Sequence, residues 1–163
     1  MTTPIDLAFA LVYLKADPGP EDDLITGLIE SARIMCQDYC NRVFYDTQDQ
    51  ADADFTVALA DRANAFTTRT TLLAANEHDA RTQDLINDRY IQTLGNITKR
   101  INGIVLDDAI KAAQLLTLGH LYINREDNVS TGNNVVALSV GAQRILQSKL
   151  WIGNLVSDDI CGS

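Results

Sequence analysis

The chain has 163 residues and a mass of 17.9 kDa, the size of a single domain. Its 46 % hydrophobic and 21 % charged residues are the composition of a chain that folds around a core. With 13 Lys and Arg against 22 Asp and Glu, the net charge is −9 and the pI about 4.5. That balance excludes a basic face of the kind that grips duplex DNA by neutralising phosphates. No run approaches the roughly 18 uninterrupted apolar residues of a membrane span, and no basic-then-apolar leader opens the chain, so a soluble, non-exported protein is expected.

In chain order, Thr3-Pro4-Ile5-Asp6 reads as a helix start, with Thr3 as cap, Pro4 in the first helical position and Asp6 against the positive dipole end. The helix runs to about Lys15 before Asp17-Pro18-Gly19-Pro20 breaks it. Glu21-Asp22-Asp23 then supplies the acidic first turn of a second helix. Leu24, Ile25, Leu28, Ile29, Ala32, Met35, Cys36, Tyr39, Cys40 and Val43 keep the three-and-four spacing of one buried face. Cys36 and Cys40, one turn apart, have β-carbons about 5–6 Å apart where a disulfide needs about 3.8 Å, so both are expected as reduced core thiols.

Between Ala51 and Ile101 only 13 of 51 residues are large and apolar, against 41 of the other 112. They still recur helically, as Phe55, Leu59, Ala63, Phe66 and Leu73, and then Ile86, Tyr90, Leu94, Ile97 and Ile101, with polar Asn76-Glu77-His78-Asp79 between the runs. The pattern predicts an antiparallel hairpin with one narrow seam, about 36 Å long at about 24 residues per helix. A compact chain of this length has a radius of gyration near ~15 Å, so the hairpin is expected to protrude.

Asn102-Gly103 signals a turn, and Asp107-Asp108 caps the central helix, whose residues Ala109 to Ile123 leave almost no polar face. Gly119 in its middle suggests a close helix crossing. Residues Glu126 to Asn134 read as a polar loop, Val135, Val136 and Leu138 as a short extended piece, and Ser139 as the cap of a last helix to about Lys149. Leu150-Trp151-Ile152-Gly153-Asn154-Leu155-Val156 is an apolar tail too short for its own helix. The expected fold is all-α: a small helical bundle around a buried central helix, with a long antiparallel helical hairpin and the apolar tail. It forms one domain, its body at residues 4–48 and 103–149, the hairpin inserted at 50–102, and the tail at 150–163.

Catalytic patterns are sparse. His78 falls in the hairpin turn and His120 within the central helix, where it reads as a core histidine. The acids at 21–23 read as dipole partners before they read as metal ligands, and Cys36-x-x-x-Cys40 is two thiols where structural zinc needs four ligands. Glycine-rich phosphate loops, Gly-x-Ser-x-Gly and His-Glu-x-x-His are missing from the sequence. No metal, cofactor or catalytic residue is therefore assigned. Trp151, the sole tryptophan, either anchors a partner pocket or folds back on its own core. Arg125, at the end of the central helix, suits the negative dipole end, and with Glu126 it is a candidate for an intersubunit ion pair.

Asp22-Asp23-Leu24-Ile25 through Ala32-Arg33 to Tyr39 and Arg42 resembles the signature helix of the head-to-tail connector, or adaptor, proteins of tailed bacteriophages. Asp108-Ala109-Ile110-Lys111-Ala112-Ala113, followed by Gly119-His120-Leu121-Tyr122-Ile123-Asn124-Arg125-Glu126, is similar to that family's buried helix ending in an aromatic, Asn, Arg and Glu. The matching parts cover roughly residues 5–46 and 103–150, a little over half the chain. The chain differs from many members in having Ser139 where they have proline, Ser148-Lys149-Leu150-Trp151 where they have Pro-aromatic-Arg, and a longer hairpin.

The resemblance implies a non-enzymatic virion protein at the neck, made in the bacterial host cytoplasm and assembled as a ring, usually twelve-fold, between portal and tail. Its partners would be its own copies, the portal protein and a tail or neck completion protein. DNA would pass through the lumen without sequence-specific binding, and no membrane is involved. Residues 1–50 hold −6 of the −9 charges and are expected to contribute to an acidic lumen or rim. The expected partner-binding residues are Leu150, Trp151, Ile152, Leu155, Val156, Arg125 and Glu126, the tail docking into the portal or a neighbouring subunit. Two other classes fit the same sequence: a cytosolic helical interaction module or assembly chaperone that uses the hairpin as its arm, and a metal-dependent hydrolase built on Asp22, Asp23 and His120.

Overall fold

The computed structural model describes residues 4–124 and 138–153. Over them the chain is all-α, with six helices in the order α1 (Leu7–Leu14), α2 (Asp22–Cys40), α3 (Gln48–Ala75), α4 (Ala80–Ile101), α5 (Asp108–Ile123) and α6 (Val140–Leu146). A single 3₁₀ turn, Gln147–Lys149, follows α6. Two two-residue strands, β1 (Phe44–Tyr45) and β2 (Ile104–Val105), pair in parallel with Phe44 opposite Ile104 and Tyr45 opposite Val105.

Local chemistry accounts for the helix ends. The cap of α1 is Asp6, whose Oδ1 accepts from the Phe9 N–H at 2.7 Å, so the helix begins three residues later than a Pro4 start implies. Lys15 and Asn41 end α1 and α2 in the left-handed conformation, at φ 55° and 54°. Thr47, Asp79, Asp107 and Ser139 cap α3, α4, α5 and α6, each accepting from the backbone N–H three residues on.

The body is α2 and α5 lying along each other, covered by α1 at one end and α6 at the other. One half of the core gathers Cys36, Cys40, Phe44, Leu106, Ile110, Ala113, Leu138, Ala142 and Leu146. The other half gathers Ala10, Leu11, Ile25, Ala32 and Leu118, with Leu28, Leu115 and Tyr122 packed against them. Each half draws on both long helices, so α5 is central as expected, although it is not enclosed all round: Leu116, His120 and Ile123 are exposed. His120 is therefore a correction to the reading of a core histidine. It lies on the open side near the end of α5, with its Nδ1 2.9 Å from the Asn124 amide nitrogen. The Tyr13 ring of α1 lies over Gly119, 3.5 Å from where a Cβ would stand, an ordinary side-chain contact that leaves room for a methyl group, so the glycine does not mark the close helix crossing expected from sequence.

The hairpin of α3 and α4 packs along its own length and meets the rest of the molecule mainly at its base. At about 1.5 Å per residue, the 28 residues of α3 span about 42 Å. The parallel strand pair clamps the base. The Ile104 N–H donates to Val43 O and the Leu106 N–H to Tyr45 O, at 2.9 and 2.8 Å, and the Val43 N–H donates to Lys99 O at 3.1 Å. Arg42 reaches across the same junction, donating to the carbonyls of Asn102 and Lys149. Arg33 donates to Phe44 O at 2.7 Å and pairs with Asp46.

The seam of the hairpin differs from the sequence expectation on one side. On α4 the inward residues are the expected ones, with Tyr90 and Ile97 buried and Ile86, Leu94 and Ile101 partly so. On α3 the inward stripe is Ala51, Asp54, Ala58, Asp61, Ala65 and Arg69; of the expected run Leu73 is partly buried, while Phe55, Leu59, Ala63 and Phe66 stay on the exposed side. The physical reason is the inward pairing of the two acids. Arg100 of α4 bonds Asp54 through Nε and Nη2 and Asp61 through Nη1, while alanines between them let the helices approach.

Candidate interaction surfaces

The tail residues within the described part are held on the body up to Trp151. Lys149 pairs with Asp107, the cap of α5, and the Trp151 N–H donates to Cys40 O at 3.0 Å, meeting a carbonyl at the C-terminus of α2. The Trp151 ring is half-buried and lies over Gly153, whereas Ile152 is 87 % exposed. Of the seven partner-binding residues expected from sequence, the structure thus ties Trp151 to the body, leaves Leu150 partly buried and turns Ile152 outward. Arg125, Glu126, Leu155 and Val156 lie outside the described residues.

The surface that spacing alone did not mark is the hairpin itself. Its α3 helix exposes Phe55, Leu59 and Phe66 at 42, 45 and 50 %, around a shallow hollow lined by Leu59, Arg62, Ala63, Phe66, Thr67 and Tyr90. The other flank is a groove of about 670 Å³ between the helices, lined by Arg69, Leu72, Leu85, Ile86, Arg89 and Arg100 among others. Arg69 lies over the Tyr90 ring at 5.0 Å and donates to the Asn87 side chain at 2.9 Å, which sets it in place at the helix interface. The available signal was the second stripe in α3, small and acidic at 51, 54, 58, 61 and 65 with its own three-and-four spacing, together with Arg100 as its complement on α4.

The base of the hairpin carries the main polar cluster. Arg100 lies beside Asp54 and holds that carboxyl below the usual carboxylate range, aided by the Tyr45 hydroxyl, which donates to it. Burial and the same carboxylate push the Tyr45 phenol well above its ordinary value. Cys36 and Cys40 are free, and burial pushes each thiol up to about 11. Thiols so desolvated are poor nucleophiles and poor ligands.

The acids and histidine of the hydrolase reading stay dispersed. Asp22 accepts from the Gly19 N–H at 2.9 Å, as a turn residue does, and Glu21 accepts from the Tyr122 hydroxyl at 2.6 Å, joining the start of α2 to the end of α5. Among the described residues no three His, Cys, Asp or Glu side chains come together as metal ligands. No described helix is long and apolar enough to cross a membrane. In comparisons with known proteins, the chain matches no family model, no curated protein and no solved structure.

Proposed function

We propose that this protein is a structural component of a tailed-bacteriophage particle, a head-to-tail adaptor that assembles as a ring between portal and tail and leaves a passage for DNA. The observation that carries the reading is the helical hairpin that leaves a clamped base and exposes large apolar side chains along its length, an arrangement suited to contact with large neighbours. The two stretches that resemble connector proteins support it. They become α2 and α5, which pack on each other, and their Arg33 and Arg42 hold the strand, the hairpin base and the C-terminal turn through main-chain carbonyls. In such a ring the subunit works by shape: the body sets the spacing of copies, and the acidic surface of residues 1–50 leaves passing DNA ungripped.

Mass spectrometry of purified particles tests the proposal. An adaptor is present at ring stoichiometry, about twelve copies if the family pattern holds. A cytosolic interaction module or assembly chaperone, the competing reading of the same hairpin, is absent from the particle.

A further inference from the structure

The groove along the hairpin has a charge opposite to that of the chain. Arg69, Arg89 and Arg100 line it against one acid, Asp61, a net of +2 on a protein of −9, and the neighbouring acids Asp84 and Asp88 lie outside its lining. Arg100 is taken by Asp54 and Asp61. Arg69 and Arg89 are not. Arg69 donates to the uncharged Asn87 side chain at 2.9 Å and lies over the Tyr90 ring, and neither arginine pairs with a carboxylate among the described residues. Between these guanidinium groups lies apolar surface: Leu72 and Leu85 are 44 and 63 % exposed, and Ile86 is half-buried.

Chemistry selects the occupant. A guanidinium without an acid binds carboxylate or phosphate in a fork, and exposed leucines gain by burial against other apolar side chains. A phosphate backbone meets the first demand and leaves the second unmet. Its bases find no platform either, since the ring in the wall, Tyr90, is buried beneath Arg69. A peptide segment with both acidic and aliphatic side chains meets both demands. Shape selects its form. From Thr82 to Arg100 the α4 wall runs about 27 Å at about 1.5 Å per residue. Spread over that length, about 670 Å³ is about 25 Å² in section, whereas a helix about 10 Å across needs about 80 Å². The groove therefore seats an extended segment, about eight residues at about 3.3 Å each. Asn64, Thr93 and Asn96 in its wall offer side-chain hydrogen-bonding groups to such a backbone.

We infer that this groove is a docking site for an extended segment of another protein that carries both acidic and aliphatic residues, its carboxylates on Arg69 and Arg89 and its apolar side chains on Leu72, Leu85 and Ile86. The site goes beyond the adaptor reading and does not rest on it, since the groove is a property of the hairpin alone.

The test selects random peptides of about ten residues by messenger-RNA display on the immobilised full-length chain. The enriched sequences are expected to carry two or more Asp or Glu among aliphatic residues. A synthetic copy of the leading sequence, with a photoreactive group at an aliphatic position, cross-links to Leu72, Leu85 or Ile86. Arg89→Glu weakens its binding by about tenfold or more, as does replacing the peptide's own acids by Asn and Gln. Far-ultraviolet circular dichroism of Arg89→Glu stays unchanged, since Arg89 is exposed. No enrichment, enriched sequences that are neutral or basic, or cross-links on the Leu59–Phe66 flank would overturn the inference. So would an oligothymidine strand that binds more tightly than the peptide and is lost in Arg89→Glu, which would make the occupant a nucleic acid. Benzoylphenylalanine placed at Leu85 of the full chain reads the remaining occupant: capture of residues 154–163 of the same chain, which include Asp158 and Asp159, would make the chain's own segment the ligand and overturn docking of another protein. None of these outcomes alters the count of this chain in particles, so the adaptor reading stands or falls separately.

Discussion

Arg100→Met removes the charge that fastens the base of the hairpin while keeping most of the side chain's apolar length. The guanidinium bonds Asp54 at 2.6 and 3.0 Å and Asp61 at 2.6 Å, linking α4 to α3. The side chains of Arg100, Asp54 and Asp61 are 28, 28 and 42 % exposed, so solvent screens them in part. A buried charge-assisted hydrogen bond is worth about 1.5–3 kcal/mol and an exposed ion pair about 0–1. Taking about 1.5 kcal/mol for the Asp54 fork and about 0.5 for the more exposed Asp61, the substitution costs about 2 kcal/mol near neutral pH. The pH dependence has a definite sign. Asp54 is held below its ordinary value, so its stabilising contribution is complete above about pH 4 and is lost as the pH falls through the lowered value. Urea unfolding followed by far-ultraviolet circular dichroism, near neutral pH and near about pH 3, should show a gap between wild type and Arg100→Met that narrows in acid. An Asp54→Asn partner completes the double-mutant cycle and should give a coupling of about 1 kcal/mol. Equal midpoints near neutral pH, or a gap that acid leaves unchanged, would refute the assignment.

Four further outcomes follow from the packing. Gly103→Ala should destabilise by about 2 kcal/mol or more, because its Cβ would lie 2.2 Å from a Tyr45 ring carbon and 3.0 Å from the Arg100 carbonyl. Gly119→Ala, whose Cβ meets Tyr13 at an ordinary 3.5 Å, should gain up to about 1 kcal/mol; thermal unfolding of the two variants checks both. In a Cys161→Ser chain, Cys36 and Cys40 should resist iodoacetamide near about pH 8, where thiols with a pKa of about 11 are about one part in a thousand thiolate, and react on unfolding; rapid native labelling would contradict their burial. Truncation after Lys149 removes the Trp151 bond to Cys40 O and the half-buried ring, so it should cost about 1–2 kcal/mol by urea unfolding and leave helix content unchanged; a chain that no longer folds would make Trp151 a core residue.

Much of this architecture is legible in the sequence because its periodicities are strong. The apolar face of α2 places Ile25, Ala32, Cys36 and Cys40 in the core, and the acids before α5 and the serine before α6 cap as their types dictate. Three features escape such reading, each for a physical reason. The register of α3 is hidden because two stripes on neighbouring sides of one helix have the same spacing, and hydrophobicity favours Phe55, Leu59 and Phe66 while the pairing of Asp54 and Asp61 with Arg100 turns the other stripe inward. The β1–β2 pair is two residues on each side, separated by the whole hairpin, and leaves no local pattern. His120 lies among apolar neighbours in sequence yet faces outward, since α1 and α6 cover α5 without closing around it. The partner-binding residues are the least legible part. Trp151 is tied to the body by its main-chain bond to Cys40, which composition alone does not encode.

Cryo-electron microscopy of the neck of a particle that carries this protein tests the central claim most directly. The account predicts a closed ring of this chain between portal and tail, its α2 and α5 side by side in each subunit. A neck complete without the chain, or a density that places it elsewhere in the particle, would contradict it.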